Sequence, residues 1–126
     1  MALKKWQTAG LWVLQLLLTF IFVNVGRIKL FGGEGSASAF RAWGYPEHFY
    51  LLVGAAEGLG GLALLHPRTA GYGAGALMVV MVGATVHHLR RGEWDRALMT
   101  TLLLLLLAVI AYARRPQFMR KSAVST

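Results

Sequence analysis

One acidic residue, Glu57, lies deep inside an apolar run, and an ionisable group so placed has to be compensated. Counted from Pro46, where that run opens, Glu57 is about eleven residues in, ~16 Å along a helix and near the middle of a ~30 Å hydrocarbon layer. A charge at that depth costs about 2.5–3.5 kcal/mol even on a lenient insertion scale. The preceding apolar run offers partners. Thr8, Trp12, Gln15, Thr19 and Gly26 share one face by i+3/i+4 counting. Gln15 and Thr19 lie about 18 and 12 Å from its Arg27 end, bracketing Glu57 in depth. The reading is that Glu57 hydrogen-bonds Gln15 or Thr19 and keeps its proton, because burial disfavours the carboxylate.

Two adjacent histidines, His87 and His88, close a later apolar run at the face where Arg27, Lys29, Trp43, Tyr45 and His48 gather. These residues form a polar rim above Glu57. Neighbours on a helix differ by ~100° in direction, so only one of the two histidines turns inward. Bis-histidine haem or metal ligation needs two inward histidines at similar depth. No H-x-x-x-H or H-x-x-E-H spacing occurs, so no metal ion and no covalently bound cofactor is expected. The chain has no cysteine, which removes thiol redox, iron–sulfur and cysteine–zinc chemistry. His66, beside Arg68, falls at the opposite face as a helix cap or headgroup contact.

The elements that position these groups follow from composition. Of 126 residues 56% are hydrophobic and 14% charged, with mean hydropathy +0.54. Soluble domains average about 45–50% apolar and about 25% charged, so a membrane is the implied solvent. Four apolar stretches, about 8–26, 47–65, 70–88 and 97–113, are each close to the ~20 residues a helix needs to cross. Backbone groups in lipid must be satisfied internally, so the spans are helices. The predicted fold is an all-α integral membrane four-helix bundle, a single domain over residues 1–126 with a basic tail at 114–126. Gly32-Gly33 and Gly35-Ser36 break the chain after the first span, Pro46 opens the second, Pro67 separates the second from the third, and Arg115-Pro116 stops the fourth. Gly54, Gly58 and Gly61 form a small-residue ridge on the second span, which Gly71, Ala74 and Gly75 of the third are expected to meet.

The 13 Lys and Arg against 5 acids lie outside or at the ends of the apolar runs, where anionic headgroups attract them. No groove-reading motif accompanies them, and a nucleic-acid role is excluded. Four spans put both termini on one side. Lys4, Lys5 and the Arg114–Lys121 tail assign that side to the cytoplasm.

The order Gly26-Arg27-Ile28-Lys29-Leu30, Trp43-Gly44-Tyr45-Pro46, Gly54-Ala55-Ala56-Glu57-Gly58-Leu59-Gly60-Gly61, Pro67-Arg68 and His87-His88 resembles the DoxX-like family, over about residues 8–113. That resemblance implies a small four-helix protein of the bacterial cytoplasmic membrane, associated with oxidoreductase or quinone-linked systems. It marks Lys29, Pro46, Glu57 and one of His87 and His88 as functional-face residues. The family's catalytic residues are not settled, so the resemblance assigns no reaction.

Together the residues and the resemblance point to an accessory or redox-associated subunit that binds a quinone or similar lipophilic ligand in a polar pocket around Glu57. The ligand-binding or proton-handling candidates are Glu57, His87, His88, Lys29, Gln15, Thr19 and Trp43. The implied partners are the lipid bilayer, a redox protein that supplies electrons, and further copies of the chain. The alternative is a non-enzymatic assembly protein in which Glu57 is an interhelical hydrogen bond. A third reading, a small-lipid binder or isomerase using Glu57 and a histidine as acid and base, suffers from having a single buried acid.

Overall fold

The structure is a computed structural model that describes residues 3–46 and 48–116. The described residues form five helices: α1 Lys5–Phe31, α2 Glu34–Ala42, α3 Phe49–Ala63, α4 Pro67–Arg90 and α5 Trp94–Ala113. The structure departs from four full-length spans joined by loops in two respects. Three helices, α1, α4 and α5, are long and apolar enough to cross a membrane, whereas α3 is apolar but has only 15 residues. At ~1.5 Å per residue α3 reaches about 22 Å, short of a ~30 Å core. The second departure is α2, nine residues where the sequence reads as loop. Gly35 and Ser36 look like breakers, but Ala37, Ala39, Phe40 and Ala42 are good enough helix formers to carry two turns once Phe40 is buried. Most of the 114–126 tail lies outside the described residues.

α1 runs five residues beyond Gly26, with Lys29 in its last turn. Gly33, Gly44 and His48 all have positive φ (60°, 84° and 67°) and turn the chain from α1 through α2 into α3. Pro46 therefore precedes α3 rather than opening it; its carbonyl accepts from Phe49 N–H at 3.1 Å in the turn before the helix. Pro67 does sit at the start of α4, where its missing N–H costs nothing. His66 caps that helix, its Nδ1 accepting from Arg68 N–H at 3.1 Å, the capping role suggested by its place in the sequence.

α1 packs on α3, α3 on α4 and α4 on α5, while α1 and α5 touch only lightly. All four run antiparallel to their neighbours. Leu18, Phe22, Leu64, Leu77, Leu107 and Ile110 are fully buried at the centre. In lipid these side chains gain little by leaving acyl chains, so their contribution is close packing. Leu16, Phe20, Val79, Val82, Leu98, Leu105 and Val109 face outward, an apolar girdle far larger than a water-soluble monomer of this size tolerates.

Glycine sets the closest approaches. A Cβ at Gly26 would stand 2.7 Å from both the Gly54 carbonyl oxygen and the Gly58 nitrogen, so α1 and α3 meet backbone to backbone there. Gly61 lies against Phe22 and Val23 one turn along. The α3–α4 contact is not the one expected. Gly73, with Ala70 and Ala74 buried beside it, meets Gly60 and Ala63, while Gly71 packs on the Arg114 backbone and Gly75 and Gly83 look onto open space.

Candidate functional site

Glu57 is 3% exposed, and its partner is Lys29: Nζ of Lys29 lies 2.6 Å from Oε1 of Glu57. The expected bond to Gln15 or Thr19 is not made, and the reason is register. The Gly26–Gly54–Gly58 contact fixes which residues of α1 and α3 are level with one another. Glu57 comes level with Gly26, about 10 Å from Thr19 and about 16 Å from Gln15 along the α1 axis. Lys29 starts one turn further along α1, its Cβ against Gly54, and its chain runs back beside α3 to the carboxylate. Lys29 keeps 23% of its side chain exposed, so the pair has one enclosed end and one accessible end.

Gln15 is fully buried and serves the opposite end of the bundle. Its Nε2 donates to the Leu64 carbonyl at 2.7 Å, and its Oε1 accepts from Arg114 Nε at 3.0 Å. The Arg114 guanidinium also lies over the Trp12 ring, 5.3 Å from its centroid. One amide side chain thus ties α1, the end of α3 and the end of α5 together. Thr19 is buried as well, and its hydroxyl has no hydrogen-bond partner among the described residues.

The rim at the Lys29 end is built largely from aromatic residues. Phe40 of α2 is buried, with the rings of Trp43, Tyr45, Phe49 and Tyr50 at 5.2–6.2 Å. Contacts of this kind hold α2 against the start of α3. Tyr45 and His87 share a hydrogen bond of 2.8 Å between the phenolic oxygen and Nδ1. Trp43 meets the same imidazole edge-on, with centroids 4.6 Å apart, and carries Arg91 over its ring at 5.7 Å. His88 turns elsewhere. Its Nδ1 lies 2.8 Å from Oε1 of Glu93. That hydrogen bond, together with Arg91 and Arg96, holds the Glu93 carboxyl below the usual carboxylate range, so it is ionised at neutral pH.

The rim thus brings Trp43, Tyr45, His87 and His88 together, while Lys29 and Glu57 pair on the α1–α3 side and Gln15 and Thr19 stand apart. Sequence reasoning overlooked Glu93, which a count of five residues from His88 would have flagged as within reach across a helix end. It also overlooked Thr85 and Thr100, whose hydroxyls meet at 2.7 Å between α4 and α5. A cleft of about 160 Å³ opens between α2 and the start of α3, lined by Glu34, Ala37, Phe40, Arg41, Pro46, His48 and Tyr50; Glu57 is not among its walls.

Long apolar antiparallel helices, an outward girdle of aliphatic side chains and polar groups gathered at the helix ends define an integral membrane helical protein. The family model described as the DoxX-like family matches residues 13–111, and the chain belongs to that family. No curated protein and no solved structure shows a significant match.

Proposed function

We propose that the protein is an accessory, redox-associated subunit of the bacterial cytoplasmic membrane. In this reading it presents the Lys29 ammonium to the polar head of a lipophilic ligand of quinone class, with Glu57 as the counter-charge behind it. The observation that carries it is the unequal burial of the pair, 3% for Glu57 and 23% for Lys29. An ion pair taken out of water repays its desolvation only when the hydrogen-bonding capacity of both ions is filled, and that of Lys29 is left open. An ammonium has three donors, and Glu57 is the one partner Lys29 has among the described residues. The remaining donors suit a carbonyl oxygen arriving from the lipid side. Electrons for such a ligand would come from a partner protein, since the chain carries no cysteine. The same reading puts the end of the bundle that carries Lys4, Lys5, Arg68, Arg114 and Arg115 on the cytoplasmic side, a reading supported by its excess of basic residues.

The test is binding of a short-chain benzoquinone to the full chain in lipid nanodiscs, followed by tryptophan quenching. Lys29→Met should weaken binding about tenfold or more, the loss of one charge-assisted hydrogen bond. Unchanged binding, or none to the parent chain, rejects the ligand role. A second reading, assembly without a ligand, is favoured by the backbone contact of Gly26 with Gly54 and Gly58 beside the pair. It predicts that Lys29→Met lowers helix-bundle stability and changes nothing else.

A further inference from the structure

We propose that His87, His88 and Glu93 form a binding site for a divalent transition-metal ion of the Zn²⁺ type, where α4 turns into α5. One ligand atom from each residue lies within 4.8 Å of the other two. Zinc held at ~2.0–2.2 Å by nitrogen and oxygen ligands places them about 3.3 Å apart in a tetrahedron. The 2.8 Å between His88 Nδ1 and Glu93 Oε1 needs to open by about half an ångström to meet that spacing. Side-chain rotation supplies such movements, because none of the three residues is fully enclosed.

His87 supplies the strongest argument. Its Nδ1 is occupied by Tyr45, while its Nε2 is buried and has no hydrogen-bond partner. A ligating histidine characteristically gives its second ring N–H to an acceptor, which fixes the tautomer and leaves the other nitrogen's lone pair for the metal. The Tyr45 oxygen is that acceptor when Nδ1–H donates to it, and the otherwise unsatisfied Nε2 then becomes the ligand atom. Glu93 contributes the negative charge. Arg91 and Arg96, 3.7 and 3.9 Å from its carboxylate oxygens, are 45% and 62% exposed and are free to swing into solvent as the ion enters. The Trp43 ring already offers Arg91 another resting place.

Sequence spacing argued against a metal because adjacent histidines on a helix diverge. The fold overcomes this by ending the helix there. Gly92 takes φ 71° and Glu93 N–H donates back to the His88 carbonyl at 2.9 Å, which returns the Glu93 side chain to the histidines. Two imidazoles and one carboxylate leave a fourth position for water. The bound ion would pin the α4–α5 turn and, through Tyr45, the segment between α2 and α3.

The test uses the full chain, stripped with chelator, in nanodiscs and titrated with Zn²⁺ and separately with Co²⁺. One ion per chain should bind with micromolar or tighter affinity, and Co²⁺ should give the intense visible bands of tetrahedral coordination. Tyr45→Phe should weaken Zn²⁺ about tenfold, as loss of an outer-shell partner does, and His88→Ala and Glu93→Gln by more. His66→Ala, at the other end of the bundle, should leave affinity unchanged. Millimolar binding, an octahedral Co²⁺ spectrum, or full affinity in folded His88→Ala and Glu93→Gln overturns the site. The cobalt spectrum of the parent chain decides the matter even where a variant fails to fold.

Discussion

Lys29 and Glu57 approach to 2.6 Å across the point where α1 and α3 come backbone to backbone, so the ion pair is held by a contact between glycines. The charges meet because Gly26 lets the helices close, and the closed helices are what shut water away from Glu57. Removing one charge leaves the other poorly compensated. Glu57→Leu or Lys29→Met alone should cost about 2–3 kcal/mol, below the ~3–5 of a fully buried pair because Lys29 is part-exposed. The double variant should recover most of that loss. Reversible unfolding in mixed micelles, read as a double-mutant cycle, measures the difference.

Gly26→Ala should be far worse than its single methyl suggests. The new Cβ would stand 2.7 Å from backbone atoms of Gly54 and Gly58, which cannot rotate aside. Overpacking of this kind costs about 1–3 kcal/mol. Gly75→Ala, where nothing lies within 4 Å, should be neutral or gain up to about 1 kcal/mol from helix propensity. Thermal melts of the two variants side by side test the contrast.

Gln15→Leu removes the donor to the Leu64 carbonyl and the acceptor for Arg114 at a fully buried position. The loss should be about 1–3 kcal/mol, the desolvation cost of a buried group left unmatched. Binding of the benzoquinone probe should not change, because Gln15 belongs to the end of the bundle away from Lys29. A variant that lost binding while staying folded would contradict this separation.

The Thr85–Thr100 hydroxyl contact should prove a weak tie. Interhelical hydrogen bonds in membranes average about 0.6 kcal/mol and reach about 1.7, because the unfolded chain in lipid also finds partners. A Thr85→Val, Thr100→Val cycle should return a coupling within that range.

The long helices could be read from the sequence because apolar runs and prolines mark them: Pro67 starts α4, and Pro116 lies just beyond α5. The rim was legible too, since Trp43, Tyr45 and His87 all flank helix ends facing one side. Register was not. The depth of Glu57 was counted from Pro46, but α3 starts at Phe49 and α1 carries on to Phe31, and together these shifts replace Gln15 with Lys29. Nothing local encodes that change; it follows from which glycines of two distant segments interlock. The α2 helix was hidden for a related reason, since Glu34–Ala42 has weak propensity of its own and is held by rings from residues 43–50.

α3 is about two and a half to three turns shorter than the helices it packs between: beside α1 at about 40 Å and α4 at about 36 Å, it measures about 22 Å. Acyl chains flanking it must shorten or bow to keep its ends wetted, a mismatch with a price of fractions of a kcal/mol per ångström. Thin bilayers should therefore suit this protein better than thick ones, with the difference greatest along the α3 side of the bundle.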